Sequence, residues 1–153
     1  VARRAGDSRL AAWWKFMAAH AQLVQRIDRD LKAATGLPLG SYDVLRLLHE
    51  APGGRLRLSE LARAVHLTRS GVTRLVNRLE RTGMLHREEH ASDRRSSCAV
   101  LTERARMKWR RARAVFVRAV AEHFGNYLSD REAETLNLIL SRIATADTRG
   151  DCQ

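Results

Sequence analysis

Residues 59–83, SELARAVHLTRSGVTRLVNRLERTG, constrain the fold more than any other stretch. Ser59 can cap a short helix, SELARAV, and His66-Leu67 leave room only for a tight turn. A longer helix follows over residues 68–82, and Gly83 ends it. Neither helix would hold in water alone, so each must bury a face against something else. On the second helix Val72, Leu75, Val76 and Leu79 share one side and point to the core. Opposite them lie Ser70, Arg74, Asn77 and Arg81, with Thr73 on the flank. A solvated face normally mixes Glu with Lys; this one holds only donors and positive charge. Two short helices and a tight turn, the second helix rich in Arg, Ser and Thr, make a helix-turn-helix.

Two candidate strands come next, residues 85–89 and 95–101, joined by HASDR. A hairpin directly after a helix-turn-helix is a wing, here spanning 85–101. Its tip carries Asp93, Arg94 and Arg95 where Gly, Asn or Pro would be usual.

Long helices flank this unit. Residues 8–35 carry an apolar seam of Trp13, Met17, His20, Val24, Ile27, Leu31 and Ala34 that stops at Gly36-Leu37-Pro38. Ser41 is the expected cap of a second helix, with Asp43 in its first turn, and Leu56–Leu58 form a short strand. Thr102 caps a fifth helix reaching about Phe124, with Ala105, Trp109, Ala112, Phe116, Ala119 and His123 inward and Gly125 closing it. Ser129 and Glu132 form a capping box for a sixth helix, whose seam is Leu136, Ile139, Leu140 and Ile143. The expected class is mainly α with a small β-hairpin wing: one domain over residues 1–153, with its winged helix-turn-helix lobe at 41–101. The stripes of 8–35 and 102–145 exceed what so small a lobe can cover, which makes these the dimerisation helices and a second copy their partner.

Charge agrees with a polyanion-binding surface. The net charge is +11, yet residues 55–95 hold ten Lys/Arg against five acids and 102–118 hold seven against one, while 119–153 reverse to three against six. The bland alternative is a solvated basic surface. Other classes lose ground. No run of 18 apolar residues spans a membrane, and Arg3-Arg4 lead into a charged helix rather than an apolar signal, so the expected location is cytoplasmic. Glycine-rich phosphate loop, nucleophile elbow and HExxH are all missing, which argues against an enzyme and against a cofactor. The six histidines are dispersed and the two cysteines, Cys98 and Cys152, do not pair with them, so no metal site is expected. Cys98 reads as a small packed hydrophobe.

The order of elements, with LSELARAVHLTRSGVTRLVNRLERTGML, REEHASDRRSSCAVLTERA and LSDREAETLNLIL, closely resembles the MarR family of transcriptional regulators over about residues 10–145. Ala105 departs from the family, which usually has Gly after the Leu-Thr pair. The resemblance implies a triangular homodimer on double-stranded DNA, a repressor by family habit. It places a recognition helix, 68–82, in each of two successive major grooves of a pseudo-palindromic operator and the wings in flanking minor grooves. Asp93 and Arg95 match the family's Asp-x-Arg wing motif: Arg95 as the inserted group, Asp93 as its orienter, Arg94 as a phosphate clamp or second inserted group. Arg74 and Asn77 are expected at base edges, asparagine in the bidentate manner that suits adenine. Thr68, Ser70 and Thr73 suit phosphate, Arg69 either role, and Arg57 and Ser59 backbone anchoring. An architectural protein without sequence preference would use the same basic surface.

For a switch, the cysteine that peroxide-sensing members carry near the start of the first helix is missing. A small aromatic anion fits better: Trp13, Asp43 and Arg87 resemble the Trp, Asp and Arg of the urate-responsive subgroup, and Arg78 is nearest to its second arginine. Each has another reading. Trp13 serves as dimer core, Asp43 as a helix-start charge, and Arg87 as a phosphate contact.

Overall fold

The computed structural model describes residues 2–65, 69–90 and 93–145, with side chains from Ser8 to Ala144 except 66–69 and 89–96. Six helices run α1 (Ala2–Thr35), α2 (Leu39–Glu50), α3 (Leu58–Ala64), α4 (Arg69–Arg81), α5 (Glu103–His123) and α6 (Asp130–Thr145). Strands β1 (Arg55–Arg57), β2 (Leu85–His90) and β3 (Asp93–Leu101) form one antiparallel sheet in the order β1-β3-β2. This is a mainly helical winged helix with a three-stranded wing sheet.

Helix α1 ends where Gly36 takes φ +67 and donates its N–H to the Lys32 carbonyl at 2.9 Å. Pro38 then occupies the N-cap of α2, so the helix starts three residues earlier than a cap at Ser41 would give. Ser41 is not a cap; it is 1% exposed, inside the core. The first amide of α2 is instead satisfied from outside, Leu39 N–H donating to Asp28 Oδ1 of α1 at 2.9 Å. This side chain bonds an otherwise orphaned helix-start donor and pins α2 to α1. Asp43 accordingly falls in the second turn rather than the first.

Helix α3 also starts early. Arg57 is its N-cap residue and Glu60 accepts the Arg57 N–H at 3.1 Å, so Ser59 sits inside the first turn and caps nothing. Helix α4 closes through Gly83 at φ +66, with the Met84 N–H reaching back to the Leu79 carbonyl at 2.9 Å. Thr102 caps α5 as expected, accepting from Ala105 N–H at 3.2 Å, and its hydroxyl also donates to the Gly83 carbonyl at 2.9 Å. One threonine therefore ties the end of α4 to the start of α5. Gly125 does not close α5: the helix stops at His123, Phe124 donates to the Val120 carbonyl, and Gly125–Tyr127 form a short 3-10 turn.

The core lies inside the lobe. Leu31, Val44, Leu45, Leu48, Leu61, Val76, Ala99, Ala105 and Ala112 are wholly buried, joined by Val72, Leu79 and Leu85. Ala105 fills its place with a methyl that a glycine would lack. Tyr42 stacks on Phe116 with ring centroids 4.6 Å apart and carries α5 onto α2. Farther along, His123 and Asp30 pair at 2.6 Å and fasten the other end of α5 to α1. Cys98 is buried, as a packed thiol would be.

The α1 seam divides. Ile27 and Leu31 are buried, but every residue from Ser8 to Gln22 is exposed, as are Val24 and Ala34. On α6, Ser129 and Glu132 form the expected capping box, Glu132 accepting from the Ser129 N–H at 2.9 Å and hydroxyl at 2.7 Å. Those bonds hold its carboxyl below the usual range. Of α6 residues 130–144, all but Leu136 are exposed, including Ile139, Leu140 and Ile143. No described helix is long and apolar enough to cross a membrane.

Candidate nucleic-acid interface

Helix α4 presents two opposed faces. Val72, Val76 and Leu79 are buried against the core and Leu75 packs at its edge, so the helix cannot rotate without exposing them. That fixes Ser70, Thr73, Arg74, Asn77, Arg78 and Arg81 on the exposed side. Arg81 Nε donates to the Asn77 carbonyl at 3.4 Å along this face. Arg78, considered above for a ligand site, thus shares the exposed surface of α4 with Arg74 and Asn77. Arg57 and Ser59 are exposed at the opening of α3. Thr68 and the side chain of Arg69 lie outside the described residues.

The wing keeps its expected span of 85–101, but its two strands are longer than expected. Strand β2 continues through His90 and β3 begins at Asp93, with a register irregularity between Glu89 and His90. Asp93 and Arg94 therefore join Arg95 in the strand β3 rather than lying in a loop; the side chains of all three lie outside the described residues. Cross-strand partners share a face, so the register sorts the sheet. Arg87 pairs with Ala99, which in turn pairs with Leu56, and it lies two residues from buried Leu85. His86 and Glu88 occupy the other face with Arg55, which pairs with Glu88 at 3.2 Å.

Arg87 is consequently a charge on the inward row of the sheet. Its guanidinium finds partners on α4: Nη2 donates to Asn77 Oδ1, and Nη1 lies 3.5 Å from Glu80 Oε2. Its Nε is enclosed with no hydrogen-bond partner among the described residues. The sequence pattern had not linked Arg87 to Asn77. The signal was available in the alternation of LHRE, where an arginine follows a core leucine by two, but it becomes legible only with the register.

The four candidate ligand residues are spread out. Trp13 is half exposed on the outer part of α1, Asp43 lies on α2 and Arg87 on β2, engaged as above. Burial pushes the Asp43 carboxyl up, against the opposing pull of Arg46, 4.0 Å away. None of the four lines the groove of about 550 Å³ between α1 and α5, which is walled by Ala34, Thr35, Met84, Met107 and the cations Arg104, Lys108 and Arg111. No cluster of His, Cys, Asp or Glu suited to a metal occurs among the described residues.

This geometry has counterparts of known standing. The MarR family model matches residues 35–96, spanning α2 through the start of β3. Over 124 residues the chain is 31% identical to a protein of Thauera aromatica assigned as the transcriptional regulator of its hcr operon, covering 81% of this chain and 73% of that one. Among solved structures it resembles Sco3205 of Streptomyces coelicolor, a MarR family regulator in complex with DNA, with 32% identity and a TM-score of 0.83 over 90% of this chain and 86% of that one. AbsC, a MarR family regulator from the same organism, superposes with a TM-score of 0.84 at 31% identity, covering 95% and 97%. Sequence, wing topology and the helical frame agree: the chain belongs to the MarR family of DNA-binding transcriptional regulators.

Proposed function

We propose that the chain acts as a homodimeric repressor, each copy placing α4 in the major groove and its wing in an adjacent minor groove of a pseudo-palindromic operator. The observation that carries this reading is the outward side of α4, where Arg74, Asn77, Arg78 and Arg81 stand together with no carboxylate among them. Arg74 and Asn77 meet base edges; Thr68, Ser70, Thr73 and Arg69 meet phosphate, with Arg57 and Ser59 as outer anchors. On the wing, Arg95 enters the minor groove, Asp93 orients it and Arg94 holds backbone. The dimer would be held by the outer part of α1, α5 and α6. Its support is the apolar surface those helices leave bare: Leu10, Trp13, Trp14 and Phe16 on α1, and Leu138 and Ile143 on α6, are each about half exposed or more.

Footprinting on the duplex upstream of the gene tests the reading. Protection of one inverted repeat with half-site centres about one helical turn apart supports a sequence-reading dimer. Uniform coating of unrelated duplexes would instead identify an architectural protein. Replacing Arg95 with Ala should flatten the salt dependence of binding by roughly one unit of slope.

Release by a small aromatic anion belongs to the same proposal. Trp13 would stack the ring and Asp43 respond to occupancy, while Arg87 would exchange its bonds to Asn77 and Glu80 for the anion and hold it with Arg78. Titration with urate or salicylate while following Trp fluorescence tests this part; a flat response at millimolar ligand removes it.

A further inference from the structure

We infer that Arg87 is a positioning residue for base recognition, fixing which end of the Asn77 amide faces DNA and so which base that asparagine accepts. The inference rests on the proposed role of Asn77 at a base edge and deepens it.

An asparagine amide ordinarily turns either end outward, because its oxygen and nitrogen are nearly the same size. Here chemistry chooses between them. A guanidinium has only donors, so the atom of Asn77 that meets Arg87 must be the oxygen Oδ1. Arg87 in turn has little freedom. It sits on the inward row of β2 beside Leu85 and opposite Ala99, its Nε is enclosed, and Glu80 one turn along α4 holds the second arm of the fork. The carbonyl is thereby drawn toward the sheet and the amino group Nδ2 becomes the outward offer of a side chain that is itself exposed.

This alters the base that Asn77 reads. A bidentate contact with adenine sets oxygen and nitrogen side by side on the base, one accepting from N6 and one donating to N7. With the oxygen turned toward Arg87, the amide offers the base a donor, which purine N7, guanine O6 and thymine O4 can all accept, whereas cytosine presents its own N4 donor there. The position read by Asn77 should therefore accept adenine, guanine or thymine and reject cytosine. Glu80 and Arg87 act through Asn77 without touching the base.

Selection of operators from a randomised duplex library, using the full-length chain, tests the inference. Comparing the unaltered protein with Asn77→Ala identifies the symmetric pair of positions that Asn77 reads. At that pair the unaltered protein should accept adenine, guanine and thymine within about threefold and disfavour cytosine by about tenfold, as a single lost base contact does. Arg87→Met keeps the aliphatic stem but frees the amide to present its oxygen as well, and should shrink the bias against cytosine to under about threefold. Arg87→Lys retains a donor and should keep the bias, while Glu80→Gln, which weakens the anchor without touching Arg87 packing, should fall between. Thermal unfolding and affinity for random duplex check that each variant is folded. Identical selections for Asn77→Ala and the unaltered protein would overturn the base-reading role of Asn77 itself. If that role stands, identical profiles for Arg87→Met and the unaltered protein overturn the positioning role. A tenfold preference for adenine over guanine in the unaltered protein overturns the donor-only contact.

Discussion

The lobe and the arms of this chain use the same apolar residue types with opposite results. Between Leu37 and Ala112, helices α2 to α4, the sheet and the first half of α5 enclose a core with Leu45, Leu48, Leu61 and Val76 fully out of water. Residues 8–22 and 130–144 carry three-four spaced apolar positions just as clearly, yet Trp13 and Ile143 are 52% and 66% exposed. The difference lies in what each stripe meets. Short helices joined by tight turns fold back on one another, whereas the outer half of α1 and α6, Leu136 excepted, are left exposed by the rest of the described residues. A periodic stripe therefore states that a helix must be covered, but not by which chain. In the lobe the cover is intramolecular; in the arms a second copy is the proposed one.

The sharpest way to break this contrast is to charge an arm. Leu140→Asp combined with Ile143→Asp removes two apolar side chains from each copy, hence four from a symmetric interface. At about 1.5 kcal/mol or more for each buried side chain, the loss is on the order of 6 kcal/mol, or about four orders of magnitude in dissociation constant. Sedimentation at micromolar concentration should then find monomers, while near-ultraviolet circular dichroism still reports a packed lobe. An unchanged dimer mass would show that α6 faces water in the assembly and that the arms differ from the lobe for some other reason.

The converse substitution belongs in the lobe. Leu45→Ala opens a void in a fully enclosed site, and truncations of this kind cost about 2–5 kcal/mol. Urea unfolding should shift to a lower midpoint with little change in slope, and the loss should be of similar size whether measured on the dimer or on the charged-arm monomer. If instead Leu45→Ala were harmless, the lobe would not be the self-sufficient unit that the burial pattern describes.

Legibility from sequence follows the same division. Helix α4 could be read face by face because Val72, Val76 and Leu79 recur at helical spacing and their burial dictates what lies opposite. The Thr102 and Ser129 caps were readable because each is a local contact spanning three residues. Ser41 misled because the α2 cap is not local: Pro38 starts the helix early and Asp28, eleven residues before Leu39, supplies the acceptor. Gly125 misled because a helix can end without a left-handed residue. The link between Arg87 and Asn77 depends on strand register, which sets the face of every β2 side chain and is fixed by pairing with β3, as of Arg87 with Ala99, rather than by the residues next to Arg87. The roles proposed for Arg74, Asn77 and the wing residues rest on the family resemblance as well as on residue chemistry.

The smallest expected effect concerns Asp43, which stands at the edge of the lobe core on α2. Burial raises its carboxyl above the ordinary value, so the folded state binds a proton more tightly than the unfolded chain does. The sign follows by linkage: this residue's contribution to stability is fully present below the unfolded value, near 3.8, and is lost as pH rises through the folded value. At neutral pH the ionised carboxylate is a burden that Arg46, 4.0 Å away and shared with Glu50, only partly relieves. Asp43→Asn should therefore unfold at a slightly higher temperature than the unaltered chain at pH 7, with the gap closing as pH falls toward 4. A gap that widened on acidification would mean that the carboxylate is held by a favourable charge rather than penalised by its surroundings. That outcome would also matter for the proposed effector response. A penalised carboxylate is a group whose ionisation a nearby ligand can shift at little cost, whereas a well-paired one would have to be broken free of its partner first.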